Sequence, residues 1–421
     1  MKRRKARKAG LTLAAASMAV VSLSALSAAP ATSVVPTRTV SPAAAAVPVG
    51  PHEVRDYTLF STKVDAPDSH KNIADHARRL IDAASPGAML SLTLYYFDRD
   101  EIVDALRRAA ARGVSVRLVV DGYMVGNAWH KALTSIPGIT VVACDPRRSG
   151  GEPVRACMGN RVIHKVPVMH NKFMIISSVQ LTGGRTAKNV LYVSSANLDH
   201  YTAYESVLTL THAGLYEDYL TYFNDLMRHG STGQVNNDYG KTFRAGDHRI
   251  YTFPRKETGN KPRPRSASND PIAGLLRNTA CGSPGRTRID LANFRIQRAA
   301  VVKELIAARE RGCKVRVVTG EDQFVEVNRL ARAMPVRLCS HDNGAGITMH
   351  EKFILVRRGS RSTLYVGSHN LTYRALRQND ESILALRNHP IGSSYLKRFD
   401  YLHEGCERMK PRKDVVADQE G

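Results

Sequence analysis

Apolar positions along the chain switch between two periods, and the same order of periods occurs twice. Ile102, Val103, Ala105 and Leu106 follow helical spacing, the run stops at Arg112-Gly113, and residues 114–120 are almost continuously apolar. Far downstream, Val301, Val302 and Leu305 lead to Arg311-Gly312 and a second apolar run at 313–318. Each stretch reads as an amphipathic helix, a glycine stop and a buried strand. Strand candidates at 89–97 and 289–296 come before these units, and helix candidates at 73–84 and 271–279 come before the strands, the second with Asp270 as N-cap and Pro271 at its first turn. Helices near 215–227 and 393–403 close the two halves. Strands alternating with helices predict an α/β fold, with each sheet covered on both faces.

The repeat extends to individual residues. Met169-His170-Asn171-Lys172-Phe173 is matched by Met349-His350-Glu351-Lys352-Phe353, and Ser195-Ala196-Asn197 by Ser368-His369-Asn370. Glu205-Ser206-Val207-Leu208 is matched by Glu381-Ser382-Ile383-Leu384. From Gly113 to His170 is 57 residues, whereas from Gly312 to His350 is 38. The surplus falls around Cys144 and Cys157, which suggests a surface insertion. The stretch 231–269 is polar and rich in Pro and Gly, and Lys261-Pro262-Arg263-Pro264-Arg265 cannot build a core. The expected organisation is a segment at 1–31, a linker at 32–54, a first domain at 55–235, a linker at 236–269, a second domain at 270–406 and a mobile tail at 407–421.

Composition changes this picture at the N-terminus. Lys2, Arg3, Arg4, Lys5, Arg7 and Lys8 precede a small apolar run at 11–26 and an Ala-rich stretch at 28–31, the pattern of a cleaved secretory signal. Loss of those six cations leaves 55 basic residues of the 61, against 38 acidic ones, a balance of +17 that favours anionic partners. The six cysteines all follow the signal, and an even number in an exported chain predicts disulfides, Cys144 with Cys157 being the favoured pair. No Cys-x-x-Cys occurs, so a zinc cluster is not expected.

Of fifteen histidines, only His170 and His350 have Lys two positions on, and each stands at the same point of its own repeat. Along a strand such residues project from one face, placing an imidazole beside an ammonium group. A proton carrier or nucleophile next to a fixed positive charge suits phosphate chemistry.

The motif pair resembles the phospholipase D superfamily, whose signature is His-x-Lys, four residues, Asp, then Gly-Ser-x-Asn. The second half has His350-Glu351-Lys352 and Gly367-Ser368-His369-Asn370; the first has His170-Asn171-Lys172 and Ser194-Ser195-Ala196-Asn197, with Ser194 in place of glycine. Ser177 and Arg357 stand where the signature places Asp. The resemblance implies two similar domains, each a mixed β-sheet flanked by helices, related by a pseudo-two-fold axis. It implies that His170 and His350 act on one phosphorus, one as nucleophile and one as acid and base, with Lys172 and Lys352 catalytic beside them. Ser195, Asn197, Ser368 and Asn370 are then the phosphate-binding set, without a metal or cofactor. Glu205 and Glu381 are expected as carboxylates behind the histidines, fixing the tautomer and favouring the imidazolium, or as mere strand-end carboxylates.

The expected substrate is a phospholipid at a membrane surface, acted on outside the cell by a monomer that requires no protein partner. A secreted endonuclease is the alternative, and a non-catalytic anion-binding protein a third reading. His369 is read as shaping its turn, Trp129 as a packing residue or a ligand contact, and Arg147, Arg148 and Arg155 as guides for an anion or a solvated loop. His164 and His341 are read as loop histidines.

Overall fold

The computed structural model describes residues 45–61, 68–144, 154–161, 165–259, 263, 265–283, 285–340 and 347–416. The expected signal, most of the linker after it, Arg147, Arg148, His164 and His341 lie outside them. The first half runs β1 (Tyr57–Phe60), α1 (Lys71–Asp82), β2 (Met89–Leu94), α2 (Asp100–Ala111), β3 (Ser115–Val120), α3 (Ala128–Thr134), β4 (Ile139–Ala143), β5 (Phe173–Gln180), β6 (Thr186–Ser194), β7 (Ala203–Tyr204), β8 (Ser206–Thr211) and α4 (Ala213–Thr232). A hairpin follows, β9 (Thr242–Ala245) and β10 (His248–Thr252), then α5 (Pro271–Asn278), β11 (Thr287–Asn293), α6 (Ala299–Glu310), β12 (Lys314–Thr319), α7 (Val325–Ala333) and β13 (Val336–Leu338). The chain ends with β14 (Thr348–Met349), β15 (Lys352–Arg358), β16 (Arg361–Gly367), α8 (Tyr373–Arg377), β17 (Ser382–Arg387), α9 (Ile391–Gly405) and β18 (Glu407–Arg408).

The first sheet has the order β1-β8-β6-β5-β2-β3-β4, and the second contains the same series as β10-β17-β16-β15-β11-β12-β13. In both, the last three strands are parallel and the others antiparallel, so each sheet is mixed. The two helix stops are real turns: Gly113 and Gly312 adopt φ of 84° and 92°, which a side chain would resist. Asp270 caps α5 by accepting the N–H groups of Ile272 and Ala273.

Two expectations are corrected. The stretch 236–269 is not only a linker, because β10 pairs with β17 as β1 pairs with β8, so the second repeat begins before residue 270. Only the alternate residues Ile250 and Thr252 of this strand are fully buried, and its Arg and His positions gave a polar reading. The described part of the tail, 407–416, is also tied down. Glu407 pairs with Leu338, and the Val416 N–H donates to the Gln323 carbonyl at 2.7 Å.

Helices α1 and α2 bury Ile73, Leu80, Ile102 and Leu106 against Leu90 and Leu118 of the first sheet. Helices α5 and α6 bury Ile272, Leu276, Val301 and Leu305 against Ile289 and Leu291 of the second. Between the sheets lies a shared core. Tyr219 and Phe223 of α4 and Tyr395 and Phe399 of α9 pack there with Phe173 and Phe353. Each such side chain contributes on the order of 2 kcal/mol by leaving water, so the halves meet through a core.

Three disulfides join Cys144 to Cys157, Cys281 to Cys313 and Cys339 to Cys406. The first brackets the longer inter-motif segment, whose described part is no surface insertion: Val154, Ala156, Cys157 and Met158 are buried. The N–H groups of Cys157 and Met158 donate to the Asp380 carboxylate of the other half at 2.6 and 3.3 Å.

Candidate active site

His170 and Lys172 immediately precede β5, and His350 and Lys352 stand at the start of β15, so the sheets present both motifs from equivalent strand ends. Each histidine is held by the opposite half. The His170 N–H donates to the Asp380 carbonyl at 2.9 Å and its Nδ1 lies 2.9 Å from Glu381 Oε2. The His350 N–H donates to the Tyr204 carbonyl at 2.9 Å and its Nδ1 lies 2.5 Å from Glu205 Oε1. Two parallel register pairs, Thr348 with Ala203 and Met349 with Tyr204, fix this exchange in the main chain. A carboxylate at Nδ1 sets the neutral tautomer and leaves Nε2 with its lone pair available.

Both imidazoles line one cavity of about 190 Å³, together with Asn370. Tyr95 packs on His170 with ring centroids 4.8 Å apart, and Phe294 packs on His350 at 4.5 Å. The ammonium groups sit under the same rings, Lys172 Nζ 5.0 Å from the Tyr95 centroid and Lys352 Nζ 5.8 Å from that of Phe294. Each lysine donates to the carbonyl of its own histidine, and Lys352 Nζ is also 3.0 Å from His350 Nδ1. Asn197 faces a small recess shared with Lys172 and Tyr95, where its Nδ2 donates to Asp199 at 3.1 Å. The Oδ1 atoms of Asn197 and Asn370 are buried without a hydrogen bond.

Ser195 and Ser368 have a different place from the one expected. Their hydroxyls donate to Glu205 Oε2 and Glu381 Oε2, both at 2.5 Å, so they orient the carboxylates instead of facing a phosphate. Glu205 and Glu381 are buried and hydrogen-bonded to both a serine and a histidine, which sets aside the strand-end reading.

The electrostatics reverse one expectation. Burial, reinforced by Lys172 and Lys352, pushes the His170 imidazole well below its ordinary range. Burial likewise takes His350 down to about 4, although Glu205 opposes the fall. Carboxylates alone would favour imidazolium, but desolvation and two nearby ammonium groups outweigh them and favour the neutral rings. Lys172 is lowered to about 7 by burial and by Lys352, and Lys352 to about 8 by burial. Burial raises a carboxyl, yet His350 and Lys352 hold Glu205 down to about 2; Glu381 is raised by its burial.

A family profile described as "Cardiolipin synthase, PLD-like domain" matches residues 78–227 and 283–403, one span for each half. The chain belongs to this phospholipase D-like family. No curated protein matches it. Among solved structures, this family member is similar to polyphosphate kinase from Porphyromonas gingivalis at 16% identity and a TM-score of 0.57, covering 87% of this chain and 50% of that one. It thus spans half the length of that kinase. Phosphatidylserine synthase from Haemophilus influenzae Rd KW20 is similar at 12% identity and a TM-score of 0.54, covering 85% of this chain and 89% of that one. At such identities the likeness is one of fold.

The departures from the phospholipase D signature lie away from the cavity. Ser177 Oγ accepts the Met89 N–H at 2.9 Å. Arg357 pairs with buried Asp290 at 2.8 Å, so a carboxylate is present on the neighbouring strand instead of at 357. His369 stacks on Phe253 at 4.1 Å and binds Arg298, which shapes the turn. Trp129 packs on the outer core and donates to Asp100; Arg155 lies over the Tyr123 ring at 4.8 Å. The motif reading missed Tyr95 and Phe294, although both occupy the position just after equivalent strands, and it missed Arg295 and Arg374, which also line the cavity.

Proposed function

We propose that this chain is an exported phosphodiesterase that removes the headgroup alcohol of phospholipids through a phosphohistidine. The observation that carries the reading is that two imidazoles from different halves line one cavity, each with Nδ1 held by a carboxylate of the other half. His350 takes up a proton as the phosphodiester binds; His170 Nε2 attacks phosphorus, the P–N bond forms as the bond to the headgroup oxygen breaks, and the His350 imidazolium gives that oxygen its proton. His350 then takes a proton from water, the water oxygen attacks phosphorus, and the P–N bond breaks to return His170 and release phosphatidic acid. An alcohol in place of water gives transfer of the phosphatidyl group.

Asymmetry supports the assignment of roles. His350 faces Glu205, whose carboxyl is held down to about 2 and favours a proton on the ring, whereas His170 is backed by Glu381, a carboxyl that burial raises. A bound phosphodiester adds negative charge, which favours ammonium at both lysines and imidazolium at His350. Three disulfides support a location outside the reducing cytosol. No helix among the described residues is long and apolar enough to cross a membrane.

The test is release of headgroup from phospholipid vesicles by the purified protein, with plasmid DNA as the competing substrate and a chelator present. His170→Ala and His350→Ala should each lower turnover by about 10³ or more, the scale at which removing one member of a reacting set acts. Degradation of DNA with lipid untouched would transfer the proposal to the endonuclease reading, which the +17 balance also suits.

A further inference from the structure

The two halves provide matching scaffolds but not matching charges around the cavity. After Asn197 the first half places Tyr201, and at the same distance after Asn370 the second places Arg374. Beside Tyr95 stands Tyr96; beside its counterpart Phe294 stands Arg295. Aromatic positions in one repeat are thus cationic in the other. Arg295, Arg374 and Lys165 all line the cavity, and no Asp or Glu among the described residues lines it. Arg295 is already neutralised by two contacts with Glu321, at 2.7 and 2.5 Å. Arg374 is not. It donates one hydrogen bond, to the Val166 carbonyl, its Nε is buried without a partner, and it pairs with no carboxylate among the described residues. Lys165 likewise has no acidic partner there, and its ammonium is disfavoured by burial and by the neighbouring Arg295 and Arg374.

The aromatic walls point the same way. A quaternary ammonium headgroup is recognised by open ring faces and nearby carboxylates. Here Lys172 occupies the Tyr95 ring, while Lys352 and Arg295, 5.8 and 5.0 Å from its centroid, occupy that of Phe294.

The geometry points to a preference for phospholipids whose headgroup carries a further anionic group, a phosphate or carboxylate, held by Arg374 and Lys165. This rests on the lipid reading above. In a phospholipid only the headgroup side can bring such a charge, because the diacylglycerol side has none.

The experiment uses the full protein and four lipids with identical acyl chains, bearing glycerol phosphate, serine, glycerol or choline. Each is held at one mole fraction in neutral detergent micelles, so that surface charge does not set the ranking. The glycerol phosphate or serine lipid should exceed choline in kcat/KM by roughly ten- to hundredfold, the scale of one charge-assisted hydrogen bond; which of the two leads tells phosphate from carboxylate recognition. Lys165→Gln, at an exposed position that tolerates change, and Arg374→Gln should each reduce that ratio by about tenfold, with Arg374→Lys retaining part of it. Choline cleaved as well as the anionic headgroups, or a ratio unmoved in both glutamine variants, overturns the preference while leaving the lipid reading in place. Failure to cleave any of the four removes both.

Discussion

Replacing Glu205 by Gln keeps the shape behind His350 and removes the charge. In the fold Glu205 is held at about 2 against an ordinary 4.5, even though its burial pushes the other way. That displacement is a net of about 3 kcal/mol, the pull of the facing cations less the cost of burial. His350 and Lys352 share the pull, so this net figure serves as the scale of what His350 gains when it takes a proton. Glu205→Gln should therefore slow a step that needs imidazolium at His350 by up to about 10². The assay compares an alkyl headgroup ester, whose oxygen must be protonated to leave, with bis(p-nitrophenyl) phosphate, whose leaving group departs without help. The loss should be large on the first and several-fold smaller on the second, with the melting temperature measured to confirm folding. Equal losses on both esters, or a rate within threefold of wild type on the alkyl ester, would refute His350 as the acid and Glu205 as its positioning residue.

Three further outcomes are expected. Because burial brings Lys172 and Lys352 down to about 7 and 8, KM for an anionic ester should rise from pH 7 to 9 with kcat less affected; a flat KM would mean these ammonium groups do not hold the phosphate. Asp380 is raised by burial to about 8 from an ordinary 3.8. The folded state then keeps a proton that the unfolded chain has lost between those values, so this group lowers stability as pH rises through that window. Asp380→Asn should flatten the fall relative to wild type in melting scans from pH 4 to 8, and parallel curves would count against it. Removing the Cys144–Cys157 bridge, which spans 13 residues, should cost about 3 kcal/mol in denaturant unfolding on the loop-entropy model. It should also lower turnover, because Cys157 N–H holds Asp380, whose carbonyl receives the His170 N–H; unchanged turnover would separate the bridge from the site.

The parts of this molecule that were legible in its sequence are those with a period. Helix α2 and strand β3, with α6 and β12, follow from apolar spacing and a glycine stop. Strand β10 was obscured because its charged positions resemble a linker until β17 supplies a partner. The His-x-Lys and Ser-x-Asn sets are visible as repeated words, and so are the Glu-Ser pairs. What the words do not contain is direction: nothing in Glu205-Ser206 says that its carboxylate serves His350 and not His170. The charge state of the histidines was unreadable for a related reason, since it depends on burial and on ammonium groups brought together only by docking of the halves. Tyr95 and Phe294 carried a usable signal, equal position in the two repeats, but their chemical types differ.

The reciprocal grip of each histidine by the other repeat makes the duplication irreversible. A lone half would present an imidazole with no carboxylate behind it and a carboxylate with nothing to orient, so gene fission would leave two inert fragments unless they reassociated. Drift at one repeat is likewise policed from the other: a change at Glu381 is felt at His170, more than two hundred positions earlier. The rims carry no such bond, and there the repeats differ, tyrosine in one standing where arginine stands in the other, while their centres share a joint fate.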